Sequence, residues 1–149
     1  GSSYLPSELN AAYLLTQLEQ HEHITALRMA RWNQYYEGLT PLKEQGRIEL
    51  MECPEDGTHN AHMFYIKTKD LEERTHLTEW LKQRNILAVF HYIPLHSAEA
   101  GQRYGRFHGE DRYTTRESER LLRLPMYHQL THEECGQVIQ AVEEFYQQS

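Results

Sequence analysis

Three side chains suited to ligand binding, His91, Tyr92 and His96, cluster in the middle of the chain. They follow a run of five apolar residues at positions 86–90, whose length and β-branched content predict a buried strand. Pro94 must lie beyond that strand, because proline cannot donate to a sheet ladder. The strand would deliver the imidazoles and the phenol to a strand-end loop, where α/β domains usually place binding groups. The same pattern also fits a core strand in which His91 only hydrogen-bonds to backbone.

Length and charge restrict what these side chains can bind. The chain has 149 residues, a length typical of one domain, and a net charge of -7. That charge argues against a nucleic-acid surface, which needs excess positive charge. No stretch approaches the ~20 apolar residues of a membrane helix, and no signal-peptide pattern opens the chain. Cys53 and Cys135 indicate neither a disulfide framework nor a C-x-x-C site, which fits a reducing cytoplasm.

The ten histidines raise the question of a metal site. No H-E-x-x-H motif occurs, and His21 and His23 are two residues apart, so they would point to different sides of a helix. His59 and His62 are three apart, but at a predicted loop-to-strand junction they share no helical face. The sequence therefore predicts no metal site.

Apolar residues keep a helical spacing in the first 40 residues and again in the last 20. Pro6 and Ser7 predict a helix start, and apolar spacing then continues to Gly38 or beyond, with Pro41 and Gly46 marking the exit. The polar run at positions 17–23 predicts two consecutive helices or one bent helix. At the other end of the chain, Thr131 and Glu134 form a capping-box pattern that opens the last helix.

Strands and helices alternate between these two ends. Strands are predicted at 48–50, 62–67 and 86–90, and a helix at 70–84. A further helix is predicted to start at Thr114 or Thr115 and to run to about Leu122. This order favours an α/β or α+β sandwich, in which a small sheet packs against helices.

Several segments match one family in the same order. The His-Tyr-x-Pro-Leu-His run at 91–96 and the segments at 9–12, 17–19, 60–66, 118–127 and 130–134 resemble the C-terminal part of DegT/DnrJ/EryC1/StrS sugar aminotransferases. These are pyridoxal-phosphate enzymes. The resemblance covers essentially the whole chain, and segments 1–9 and 107–115 point to a narrower group within the family.

The resemblance implies a fold and a set of partners. It predicts the small C-terminal domain of an aspartate aminotransferase-like, fold type I enzyme, with a small antiparallel-type sheet. Residues 1–40 would be connector helices from a large domain outside this chain, and residues 41–149 the small domain itself. The complete enzyme would be a cytoplasmic homodimer that binds pyridoxal 5'-phosphate. It would transfer an amino group from glutamate to C4 of dTDP-4-dehydro-6-deoxy-D-glucose, in lipopolysaccharide or common-antigen biosynthesis.

The resemblance also assigns roles to single residues. Ser3 stands where typical members have the Asn of a Gly-Tyr-Asn-Tyr motif that reaches the cofactor phosphate of the neighbouring subunit. Its hydroxyl can still donate to phosphate but is shorter. His91, Tyr92 and His96 would face the sugar nucleotide. A frayed terminus is the alternative for Ser3.

One basic and aromatic cluster stands out in this acidic chain. Arginines that alternate with aromatic residues suit an anionic diphosphate and a flat thymine ring. The alternative is a solvated loop with a few packed aromatics. The cluster consists of Arg103, Tyr104, Arg106, Phe107, Arg112 and Tyr113, of which Arg106, Phe107 and Tyr113 are the candidate substrate residues.

The lysines decide whether the chemistry lies in this chain. None of Lys43, Lys67, Lys69 and Lys82 stands in the Ser-x-x-x-x-Lys-Asn context of the family's cofactor lysine. We therefore expect no catalytic residue here, and a fragment that is inactive and retains no cofactor by itself. The second hypothesis is a stand-alone binding or assembly module of the same fold, which holds a partner or a sugar nucleotide without catalysis.

Overall fold

Helices and strands alternate along the chain, as the sequence predicts. A computed structural model describes residues 4–54 and 56–148. Within those ranges the helices are α1 (Glu8–Glu19), α2 (His21–Glu44), α3 (Leu71–Gln83), α4 (Glu99–Tyr104), α5 (Thr114–Arg120) and α6 (His132–Gln147). The strands are β1 (Glu49–Leu50), β2 (Phe64–Lys67), β3 (Val89–Phe90) and β4 (Leu121–Leu124).

The four strands form one antiparallel sheet in the order β1-β2-β4-β3. In the central pair, Phe64 lies opposite Leu124 and Ile66 opposite Leu122, and all four side chains are buried. The residues between them are only partly buried and point to the other face, because side chains alternate along a strand. The predicted α+β class and the antiparallel sheet are confirmed.

The core lies between this sheet and helices α2, α3 and α6. Tyr35 is fully buried, stacks on Phe64 with the ring centroids 5.0 Å apart, and donates its hydroxyl proton to the Pro125 carbonyl at 3.0 Å. Gly38 lets α2 approach α6 closely, since a Cβ at this position would lie 2.9 Å from the Ile139 side chain. Burial of this kind stabilises a domain by about 25 cal/mol per Å² of apolar surface.

Side-chain caps fix the starts of three helices. Ser7 accepts a hydrogen bond from the Asn10 backbone and Asp70 from the Glu73 backbone, at 3.3 and 2.9 Å. Thr131 begins α6 with the predicted capping box. The predicted Thr114 or Thr115 cap of α5 is wrong: Tyr113 occupies that position without a side-chain cap bond. Helix α5 also ends earlier than predicted, because β4 begins at Leu121 and pairs with β2.

The N-terminal region forms two consecutive helices, which is the first of the two predicted alternatives. Helix α1 ends at Glu19, and α2 runs from His21 through Pro41 to Glu44. The prediction that Pro41 marks the helix exit is wrong, because the chain stays helical beyond it and the Gln45 N–H donates to the Pro41 carbonyl at 3.1 Å. Gly46 does end the helix, with a φ of 70° and a hydrogen bond to the Lys43 carbonyl. No helix in the described residues is long and apolar enough to cross a membrane.

The two ends of this helical pair differ in burial. Helix α1 has no buried residue, and its Leu9 is 84% exposed. Helix α2 buries Trp32, Tyr35, Leu39 and Leu42 in the core. The predicted boundary between residues 40 and 41 therefore falls inside α2, and the division into connector and small domain stays a prediction.

The buried strand predicted at 86–90 is wrong. The strand β3 has two residues, both exposed, and Leu87 just before it is 76% exposed. The physical reason is its position, because β3 is the edge of the sheet and pairs only with β4. An edge strand has one neighbour, so apolar residues alone do not bury it. Ala88 is the one residue of the run that is buried.

Candidate functional site

The segment after β3 turns sharply before it enters α4. The backbone N–H groups of Ser97 and Ala98 both donate to the Pro94 carbonyl, at 3.1 and 3.0 Å. Helix α4 packs against this turn at Gly101, where an added Cβ would lie 1.6 Å from the Leu95 carbonyl oxygen. Turn and helix thereby place His96 beside the loop that follows α4.

His96 is held by a carboxylate from that loop. Its Nε2 lies 2.8 Å from Asp111 Oδ2, and the two side chains are 22% and 19% exposed. The Thr115 hydroxyl donates to the same carboxylate oxygen, and its own oxygen lies 3.4 Å from His96 Nε2. The Phe107 ring packs on the imidazole, with the centroids 4.5 Å apart. One predicted histidine and one predicted aromatic residue are thus brought together, through residues that the sequence did not indicate.

His91 and Tyr92 lie at the other end of the same segment. Their rings meet edge to face at 4.4 Å, and Tyr92 is 70% exposed. The Nδ1 atom of His91 is buried and has no hydrogen-bond partner among the described residues. The Tyr92 carbonyl accepts a hydrogen bond from Ser118, whose own carbonyl accepts one from Arg74 at 2.9 Å. This chain of contacts ties the segment to α5 and α3.

The other members of the predicted basic and aromatic cluster do not converge. The Arg103 guanidinium lies 5.1 Å from the ring of its neighbour Tyr104, and Arg112 pairs with exposed Glu110 at 3.1 Å. Arg106 is exposed as well. Tyr113 is exposed too, and no hydrogen bond within the described residues joins it to His96. The cluster is therefore an open surface around the His96–Phe107 contact.

Hydrogen bonds set the protonation state of two carboxylates here. The hydrogen bond from Thr115 lowers the pKa of Asp111, with a further contribution from His96. On the opposite side of α5, hydrogen bonds from Lys67 and Arg116 lower the pKa of Glu117 to about 2. Both groups are ionised at neutral pH, so Asp111 can only accept hydrogen bonds.

Two surface grooves lie away from the predicted substrate residues. One, of about 630 Å³, lies beside Ile86 and Tyr127, and the other, of about 690 Å³, lies beside Lys43 and Tyr65. Neither is lined by His91, Tyr92 or His96. The predicted substrate residues His91, Tyr92 and His96 therefore lie outside both grooves.

A cofactor lysine needs an accessible neutral amine, and two of the four lysines of this chain are ion-paired. Hydrogen bonds with Tyr36 and Glu52 raise the pKa of Lys43. Lys67 lies 2.7 Å from Glu117, and this contact raises its pKa too. Lys69 and Lys82 are exposed on the surface. That this chain retains no pyridoxal phosphate by itself stays a prediction, and Ser3 lies outside the described residues.

A metal centre finds no support in the described part of the chain. No group of three or more His, Cys, Asp or Glu side chains is placed to hold an ion there. His96 and Asp111 are close enough to share a ligand, but their third partner is the hydroxyl of Thr115.

Asp111 and Thr115 are the functional candidates that sequence reasoning missed. They are four residues apart, and the Thr115 N–H donates to Asp111 at 3.2 Å, as at many helix starts. That spacing was the one feature of the sequence that could have drawn attention to this pair. It indicates a local turn, however, and says nothing about His96, which is 15 residues earlier in the chain.

Comparison with known proteins gives one family. The model of the DegT/DnrJ/EryC1/StrS aminotransferase family matches residues 1–143. The structure of DesV from S. venezuelae, in complex with a ketimine intermediate, is similar with a TM-score of 0.77 and 26% identity. That match covers 91% of this chain and 35% of DesV.

Two further solved structures are similar to this chain. NtdA from Bacillus subtilis, with bound cofactor PMP, has a TM-score of 0.69 and 26% identity, over 83% of this chain and 28% of NtdA. The aminotransferase TlmJ from Streptoalloteichus hindustanus has a TM-score of 0.77 and 21% identity, over 89% of this chain and 34% of TlmJ. The chain thus spans about a third of the length of the solved structures it matches.

Proposed function

Since this chain belongs to the DegT/DnrJ/EryC1/StrS aminotransferase family, we propose that it is the sugar-nucleotide-binding part of a larger sugar aminotransferase. The observation that carries the proposal is the joining of the two predicted binding segments at His96 and Phe107. The two segments also carry exposed hydrogen-bonding and cationic groups, including Tyr92 and Arg106. Such groups suit the hydroxyls and phosphates of a sugar nucleotide.

The proposed reaction transfers an amino group from glutamate to C4 of dTDP-4-dehydro-6-deoxy-D-glucose. Segments 1–9 and 107–115 resemble the dTDP-4-amino-4,6-dideoxygalactose transaminase of enterobacterial common antigen synthesis, and this narrower assignment rests on them. In this proposal His91, Tyr92 and His96 bind the sugar side, and Arg106, Phe107 and Tyr113 the nucleotide side.

The cofactor would be held elsewhere in the complete protein. The lysines of this chain are ion-paired or exposed, so we propose that a separate large domain supplies the cofactor lysine. That domain, and a second subunit of a homodimer in the cytoplasm, would also close the open surface around His96. The chain alone would have no transaminase activity.

The same lysine observation supports one alternative from another class. A stand-alone module with this fold would bind a sugar nucleotide or a partner without catalysis. The gene separates the two hypotheses, because the enzyme needs an open reading frame that contains the Ser-x-x-x-x-Lys-Asn motif upstream of this segment.

Binding of dTDP-glucose to the chain, measured by calorimetry, tests the proposed site. We expect saturable binding that Tyr92→Phe weakens by about two- to tenfold, the usual effect of one lost hydrogen bond. Tyr13→Phe is the matched control, because Tyr13 is similarly exposed at 72% but lies on α1. Absence of binding, or an equal loss in the control, would contradict the proposal.

The cofactor part has its own test. The chain is incubated with pyridoxal phosphate, reduced with borohydride and analysed by mass spectrometry. We expect no specific pyridoxyl adduct, because the amines of Lys43 and Lys67 are held as ammonium ions. A stoichiometric adduct on any one lysine would show that the chain carries its own cofactor site.

A further inference from the structure

The contacts of His96 determine which ring nitrogen is free for a ligand. Nε2 faces Asp111 at 2.8 Å, and the Thr115 hydroxyl is bonded to the same carboxylate oxygen. An ionised carboxylate has no proton to give, so the proton in this hydrogen bond belongs to Nε2. In the neutral imidazole the lone pair then resides on Nδ1, which has no hydrogen-bond partner among the described residues.

We propose that Asp111 and Thr115 are positioning residues that hold His96 in the Nε2–H tautomer, so that Nδ1 accepts a hydrogen bond from a hexose hydroxyl of the sugar nucleotide. This inference rests on the proposed function. It adds a chemical assignment to the site, because a neutral Nδ1 cannot donate to a phosphate oxygen. The diphosphate would be left to guanidinium groups such as Arg106, which only donate.

The surroundings of His96 support a fixed ring. The Phe107 ring lies against the imidazole at 4.5 Å and limits its rotation. The Thr115 backbone N–H and hydroxyl both hold Asp111, so the carboxylate is itself oriented. A carboxylate that orients a histidine ring and selects its tautomer is a common arrangement where one imidazole nitrogen meets a ligand.

The tautomer is measured directly by nitrogen NMR of the imidazole in the free chain at neutral pH. We expect Nε2–H in the unaltered chain and a mixture, or Nδ1–H, in Asp111→Asn. Glu110→Gln is the matched control, because Glu110 is in the same loop but pairs only with exposed Arg112. An Nδ1–H tautomer in the unaltered chain, or no change in Asp111→Asn, would overturn the positioning role.

Two ligands then test the assignment of Nδ1. The probes are dTDP-glucose, which carries hexose hydroxyls, and dTDP, which does not. Asp111→Asn should weaken dTDP-glucose binding by about three- to tenfold and leave dTDP binding unchanged. An equal loss for both probes would mean that His96 contacts the phosphates or that the loop has moved, and would overturn the proposal.

A second variant covers the case in which Asp111→Asn does not fold. Thr115→Val removes the hydroxyl and should reproduce the selective loss, whereas Thr115→Ser should restore the affinity. Failure of Thr115→Ser to restore it would contradict a hydrogen-bonding role. If the unaltered chain binds no dTDP-glucose, the proposed function and the role of Nδ1 both fail, while the tautomer measurement still decides the role of Asp111.

Discussion

Helices α1 and α2 follow one another with only Gln20 between them, yet they differ completely in burial. Apolar residues make up a larger share of α1, but none of its residues is buried, whereas α2 buries four. Helix α2 has surfaces to pack against: Trp32 and Tyr35 contact Phe64, and Gly38 admits Ile139. The difference shows that apolar content marks a face that needs a partner, while burial depends on whether the partner is within reach.

This comparison bears on the proposed function. The exposed apolar residues of α1 include Leu9, Tyr13 and Leu15, and exposed apolar patches of this kind usually mark interaction surfaces. In the proposed complete enzyme, the large domain or a second subunit would cover α1.

Removing one leucine side chain from each helix tests the comparison most strongly. Leu39→Ala should lower the free energy of unfolding by about 2–5 kcal/mol, because Leu39 is fully buried and the variant leaves a cavity. Leu9→Ala, at an exposed position, should change it by less than about 0.5 kcal/mol. Denaturant unfolding of both variants measures this. Similar losses would show that α1 packs in solution.

Helix α1 also differs from the rest of the molecule in its charged groups. No ion pair within the described residues involves α1, whereas α5 carries several. Glu117 bonds to Lys67 and Arg116 at 2.7 and 2.6 Å. Loss of these charge-assisted bonds in Glu117→Gln should lower the free energy of unfolding by about 1–2 kcal/mol at pH 7, a value reduced by partial exposure.

The pH dependence of this effect has a definite sign. The folded-state pKa of Glu117, about 2, is below its usual 4.5. Its contribution to stability is therefore present above about pH 4.5 and is lost as the pH falls through about 2. The difference between the unaltered chain and Glu117→Gln should shrink over that range, and Glu110→Gln serves as the exposed control. A difference that does not vary with pH would contradict this explanation.

The caps give the smallest effect. Thr131→Ala removes half of the capping box of α6 and should lower the free energy of unfolding by about 1 kcal/mol. Ser7→Ala should unwind the start of α1, seen as a small loss of helical circular dichroism, with no change in the unfolding midpoint. An equal change of midpoint in both variants would mean that α1 unfolds together with the core.

Local signals predicted much of the fold, because they act over three or four residues. Ser7 and Thr131 each cap the helix whose start they predicted. The prediction of a buried strand at 86–90 was wrong because burial there is not a local property. The edge position of β3 depends on which strands pair in the sheet.

In the candidate site, too, local features were predictable from the sequence and contacts between distant segments were not. Residue types and the resemblance together indicated His96 and Phe107 as candidates, but neither signal predicted that these two side chains are in contact. It could not find Asp111 as the partner of His96, because a loop of unknown path separates them. Nor could it tell that Arg106 and Tyr113 stay exposed, since residues in a loop have no periodicity that fixes their direction.

Gly101 has a consequence for how this loop can vary. The atom that a Cβ would strike is a backbone carbonyl, so no choice of rotamer removes the clash. In a saturation library, every single replacement of Gly101 should displace the turn that carries His96, even though Gly101 itself has no side chain. New ligand specificities at this site would therefore be reached by exchanging the stretch from Pro94 to Gly101 as one block, with its glycine retained.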